Sequence, residues 1–117
     1  MIRRAVEMTR EKIVSLRGGK GELEMTHILE RGSDEFGGKG RMFSKLVLPP
    51  GASIGMHEHI GDAETYFVLS GEGTVDDNGV KSFLKPGDMM VTFNGEKHCI
   101  ENTGDSDLVF IALILFA

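Results

Sequence analysis

The chain has 117 residues, with 13 Lys and Arg against 18 Asp and Glu and a formal charge of -5. That length buries one core and not two, and an acidic balance with no block of about five like charges removes the electrostatic drive for nucleic-acid binding. A lone Cys99 excludes an internal disulfide, and 16 glycines, about twice average usage, point to an all-β chain rich in turns.

The first 17 residues have loose amphipathic spacing, with Val6, Ile13, Val14 and Leu16 able to pack, and they end at Gly18-Gly19. They predict a short turn or helix, so residues 1–21 read as a lead-in and residues 22–117 as one barrel. Arg, Lys and Glu interrupt this segment, leaving no apolar run of the kind a secretory signal needs, and a cytoplasmic location is expected.

From Glu22, "ELEMTHILE" alternates, placing Leu23, Met25, His27 and Leu29 on one face of a strand. "RGSDEFGGKGR" reads as a loop, "MFSKLVL" as a strand, and Pro49-Pro50-Gly51 as a tight turn. Lys45 in that strand faces either the cavity, where it would hold an anion, or solvent. Three more strands follow, punctuated by Ser70-Gly71, Asn78-Gly79 and Pro86-Gly87-Asp88. Asn78-Gly79 predicts a type I′ hairpin, because both central residues of that turn need positive φ. "LVFIALILFA", from Leu108 to Ala117, is half the roughly 20 residues of a membrane-spanning helix and reads as a buried strand. No membrane association is expected. Strands about every 8 to 12 residues, with no helical pattern after residue 20, predict a sandwich or closed barrel.

The chemistry gathers in "GASIGMHEHIGDAETYFVLSG". Residues two apart on a strand share a face, so His57 and His59 project together while Glu58 points away. Glu64 lies beyond the turn-forming "IGDA" and returns towards the histidines on the next strand, sharing a face with Tyr66 and Val68. His98 follows a glycine turn in "FNGEKHCIEN" and begins a strand. Three histidines and one glutamate form a mixed N/O set that suits Mn, Fe, Co, Ni, Cu or Zn better than Ca or Mg.

Residues Gly51 to Gly71 fit G-x5-H-x-H-x3,4-E-x6-G at every fixed position. Gly87, Gly95, His98 and Asn102 fit G-x5-P-x-G-x2-H-x3-N, with Phe93 in place of the proline. In these two motifs the chain resembles the cupin superfamily, as a small single-domain member of the conserved-barrel type. The resemblance implies an antiparallel jelly-roll β-barrel holding one divalent transition metal ion, Mn, Fe, Ni or Zn, through His57, His59, Glu64 and His98. Asn102 would be a structural neighbour. It further implies a metal-dependent enzyme acting on a small oxygenated metabolite by dioxygenase- or isomerase-like chemistry; the alternative is a non-catalytic small-molecule module, for a sugar for example. A homodimer is expected.

Two further side chains are candidates for acid-base work. His27 shares its face with Met25 and Leu29, which also suits a hydrogen-bonded core histidine. Tyr66 shares the face of Glu64, within reach of a bound ligand. Cys99 should point away from His98 as a buried, inert thiol, and the methionines, Met56, Met89 and Met90 among them, read mostly as core filler.

Overall fold

The computed structural model describes all of residues 1–117. Ten strands follow in order: β1 (Arg10–Val14), β2 (Glu22–His27), β3 (Gly40–Leu48), β4 (Ser53–Glu58), β5 (Asp62–Ser70), β6 (Gly73–Asp77), β7 (Val80–Leu84), β8 (Met89–Thr92), β9 (Lys97–Glu101) and β10 (Leu108–Phe116). They form two antiparallel sheets, ordered β1-β2-β3-β10-β5-β8 and β4-β9-β6-β7. Only three single 3-10 turns interrupt the strands, and no helix is long and apolar enough to cross a membrane. The all-β jelly-roll expectation is met.

Strand alternation builds the core between the sheets. Leu46 and Leu48 of β3, Tyr66 and Val68 of β5, and Leu108, Phe110 and Ala112 of β10 all face inward and are buried with Ile54 of β4 and Ile100 of β9. The hairpin at Asn78-Gly79 has positive φ at both residues, 51° and 92°, as its sequence requires. Asn102 is buried where β9 ends. Its amide donates to the carbonyls of Leu48 and Ser106 at 2.7 and 2.8 Å, and its Oδ1 accepts from the Gly104 N–H at 2.9 Å. It thereby ties the end of β3 to the loop before β10.

The N-terminal segment forms the expected short turns at Ala5–Glu7 and Leu16–Gly18 but not between them. Residues 10–14 form strand β1, which pairs with β2 from Arg10↔Thr26 to Val14↔Glu22. The reason is local: in "REKIV" Glu11 and Ile13 face inward and are half-buried, while Arg10, Lys12 and Val14 stay exposed. A charged edge strand of this kind has almost no apolar signature. Residues 10–14 of the lead-in thus belong to the larger sheet.

Other placements settle or correct expectations. Lys45 sits on the outer face of β3, between Thr26 and Ile111 in the ladder, and not in the cavity. The alternation that buries Ser44 and Leu46 turns it outward. Met56 and Met89 are not core filler but about half exposed, whereas Met25 and Met90 are buried. Cys99 does face away from the side of His98, yet it is only half-buried, because β9 presents that face to solvent.

Candidate metal centre

His57 and His98 are directly opposite each other in the β4–β9 ladder. Ile54 also faces inward, three residues before His57, so strand alternation must slip once between them. A β-bulge between Ile54 and His57 makes that slip. After β4 the chain turns through Gly61, at φ 80°, and β5 brings Asp62, Glu64 and Tyr66 inward from the other sheet. The Gly61 N–H donates to the Asn94 Oδ1 at 2.8 Å, pinning this turn to the one before His98. That second turn closes without the motif's proline: Phe93 uses its N–H, which proline lacks, to donate to the Glu96 carboxylate at 2.8 Å.

The result joins all four sequence-predicted ligands. Their donor atoms lie within 4.8 Å of one another. His98 Nε2 is 3.0 Å from His57 Nε2 and 3.1 Å from His59 Nε2. Glu64 Oε1 is 3.0 Å from His98 Nε2, 3.1 Å from His59 Nε2 and 4.0 Å from His57 Nε2. Ligands about 2.1 Å from one octahedral ion stand about 3.0 Å apart when adjacent and about 4.2 Å when opposite. The set is compatible with one metal ion.

Tautomers strengthen the fit. His57 Nδ1–H donates to the Gly55 carbonyl at 2.7 Å, and His59 Nδ1–H to Asp62 Oδ1 at 2.7 Å. Thr92 gives its hydroxyl proton to Asp77, at 3.2 Å, so its oxygen accepts from His98 Nδ1–H at 2.8 Å. Every Nδ1 therefore carries a proton, and every Nε2 faces the same point, where it can offer its lone pair to a metal or, in the metal-free protein, a proton to Glu64. With His98 Nε2 about 3 Å from Nε2 of both other histidines, lone pairs at all three repel unless a cation sits among them.

Asp62, which sequence reasoning passed over, is buried and bridges His59 to Arg41, whose Nε donates to Asp62 Oδ2 at 2.7 Å. Burial pushes its carboxyl up, but Arg41 and His59 outweigh that and hold it below the usual range. Its signal was available: Asp62, Glu64, Tyr66 and Val68 are two apart on one strand. Burial likewise pushes Glu64 up, and hydrogen bonds from His57, His59 and His98 overcome it, leaving the carboxyl depressed. The hydrogen bond to Glu64, against burial and aided by Asp62, raises His59.

A pocket of about 280 Å³ opens onto His57, His59 and Glu64. Its other lining is Tyr66, three arginines (Arg17, Arg31 and Arg41), and an apolar wall that includes Leu16, Ile54 and Ile114. Tyr66 is buried, stacks on His98 with centroids 5.0 Å apart, and keeps its proton well above the usual range, chiefly through burial and then through Glu64. His27 stands outside this lining. Its Nε2–H donates to Glu11 at 2.8 Å while its Nδ1 accepts from Ser44 at 3.0 Å, a fully satisfied histidine in the core.

Two outcomes are expected. Asp62→Asn removes the negative charge behind His59 and leaves an N–H facing the donor of either His59 or Arg41, and it should weaken metal affinity by about 10- to 100-fold in a chelator competition, with the fold retained. Without metal, the two shifts oppose. Glu64, depressed, contributes stability above its usual 4.5 and loses it as pH falls towards the depressed value. His59, raised, contributes below its usual 6.5 and loses it as pH rises through the raised value. Thermal unfolding of metal-free protein should therefore show greatest stability between 4.5 and 6.5. Stability climbing steadily from there to mildly alkaline pH would contradict this.

The family model described as "Cupin domain" matches residues 44–114. An oxalate-binding protein of Thermotoga maritima is 47% identical over 115 residues, covering 98% of this chain and 93% of that protein. The crystal structure of a predicted oxalate decarboxylase from Thermotoga maritima superimposes with a TM-score of 0.92 at 47% identity, covering 100% of both chains. Drosophila melanogaster CENP-C, at 18% identity and a TM-score of 0.75 over 95% of this chain and 84% of that one, shares the fold. Two matched motifs, the jelly-roll sheets and the family match agree: the chain belongs to the cupin family.

Proposed function

We propose that the chain binds one divalent transition metal ion through His57, His59, Glu64 and His98, and with it a small dicarboxylate of the oxalate class. The observation that carries this reading is the pocket lining. In a chain of net charge -5, three arginines face one small, otherwise largely apolar pocket beside the four donors. Arginine in a partly desolvated wall is a carboxylate receptor, and apolar surroundings strengthen its field. The lining holds no Asn, Gln or Ser for a sugar's hydroxyls, which favours an anion over the sugar alternative. A bound divalent ion would supply a Lewis-acidic anchor for one carboxylate. The names of the 47% identical relatives, an oxalate-binding protein and a predicted oxalate decarboxylase, point the same way.

Turnover is the second reading, and Tyr66 favours it. It is the one neutral O–H group in the pocket lining, and its raised pKa keeps it a proton donor at neutral pH. Decarboxylation of hydrogen oxalate to formate and carbon dioxide needs a proton delivered to carbon.

We also propose a homodimer through the outer face of the six-stranded sheet. Phe67, Leu69, Met89 and Leu115 are each about half exposed there, and Val109, Ile111 and Leu113 of β10 continue the patch. Charged residues of β1 and β2 border it, including the Lys12–Glu22 pair. A face of about ten apolar side chains is of the order of the ~800 Å² per partner that a stable interface buries.

Protein stripped of metal and reloaded with manganese is expected to bind oxalate in calorimetry, and the stripped protein or a His98→Ala variant is not. Equal binding with and without metal would sink the reading. Formate release by the loaded protein, lost in Tyr66→Phe, would select turnover over binding alone. For the assembly, light scattering should give twice the chain mass of 12.8 kDa, and Phe67→Lys should reduce it to that mass. A monomeric parent chain would overturn the dimer.

A further inference from the structure

The loop between β1 and β2 contains two of the three non-glycine residues in left-handed backbone, Ser15 at φ 55° and Arg17 at φ 54°. That conformation is costly for a residue with a side chain and persists only where the surroundings fix it. Here they do. The Ser53 N–H donates to the Lys20 carbonyl at 2.9 Å, the Lys20 N–H donates to Ser53 Oγ at 2.9 Å, and the Ser15 N–H donates to the Gly21 carbonyl at 2.9 Å. Side chains are missing where the loop meets β4. A Cβ on Gly19 would stand 2.1 Å from the Ser53 oxygen, and one on Gly55 would stand 2.1 Å from the Arg17 oxygen.

The loop is thus a strap across the N-terminal half of β4, and Leu16 and Arg17 on it line the metal-site pocket. The two other arginines of the lining are placed differently. Arg41 is held by Asp62 at 2.7 Å, its charge balanced within the wall. Arg31, which like Arg17 is exposed and without an ion-pair partner, lies in the loop after β2. Arg17 has no ion-pair partner, and its backbone is clamped against the bulge that leads to His57.

We propose that Arg17 is a specificity-determining residue: its guanidinium pairs with the carboxylate of the ligand that the metal site does not hold. The inference rests on the dicarboxylate reading above. A planar fork matches a carboxylate with two parallel hydrogen bonds, and a monocarboxylate anchored at the donor cluster offers nothing for it to grasp. The strap therefore selects anions with two carboxylates.

Manganese-loaded wild type, Arg17→Gln, Arg17→Lys and Arg31→Gln are titrated calorimetrically with oxalate and with acetate, with metal content and thermal midpoint recorded for each. Arg17→Gln should weaken oxalate about 10- to 100-fold and acetate less than about threefold, and Arg17→Lys should fall between wild type and Arg17→Gln. Arg31→Gln should cost less than Arg17→Gln, with metal content unchanged throughout. Wild type that binds oxalate while Arg17→Gln binds it equally well, or loses oxalate and acetate in the same proportion, overturns the inference and leaves the dicarboxylate reading standing. So does a larger loss in Arg31→Gln. Failure of wild type to bind oxalate overturns the dicarboxylate reading and this inference with it. Should Arg17→Gln not fold, Arg17→Lys decides through the same oxalate-to-acetate ratio.

Discussion

The arrangement of the site depends on one constraint: each of three imidazoles has already committed its Nδ1 proton. Gly55, Asp62 and Thr92 take those protons, leaving three Nε2 lone pairs to converge. The acceptors lie on β4, β5 and β8, and the histidines on β4, in the turn after it and on β9. Convergence of this kind needs both sheets in register, so the jelly roll acts as a rigid frame for a repulsive cluster. Glu64 enters from the larger sheet and supplies the only negative charge among the four donors, which makes the set an attractive cage for a cation.

From that cage a chain of hydrogen-bonded partners runs outward. Glu64 is next to His59, His59 next to Asp62, and Asp62 next to Arg41 at the pocket wall. Each neighbour stabilises the next, so two carboxylates stay ionised in a buried setting where burial alone would protonate them. The arginines at the pocket end set positive charge beside a small, largely apolar cavity in a chain of net charge -5.

Much of this was legible in the sequence because strands have a period of two. His57 and His59 on one side, Glu64 with Tyr66, and the inward stripes of β3, β5 and β10 all follow from that repeat. The hairpin at Asn78-Gly79 follows from backbone sterics alone. What stayed hidden depended on long-range or unusual backbone geometry. β1 was missed because an edge strand with charges at alternate positions resembles an exposed turn. Arg17 carries no mark in the sequence, since nothing about an arginine announces a left-handed backbone; the loop that forces it is held by Ser53 and by two glycines that give it room. Lys45 was ambiguous because the phase of its strand depends on which neighbours bury Ser44 and Leu46.

The peptide at Gly55 serves two masters. Its carbonyl fixes the ring of His57, and the hydrogen in place of a side chain admits the Arg17 carbonyl. For protein engineering this means that the Arg17 strap and the four-donor cluster share a single hinge point. A change at position 55 would shift both together, so a designer wishing to retune one of them must approach from the far sides of the cavity, through Asp62 for the donor cluster and through the Arg31 loop for the pocket wall.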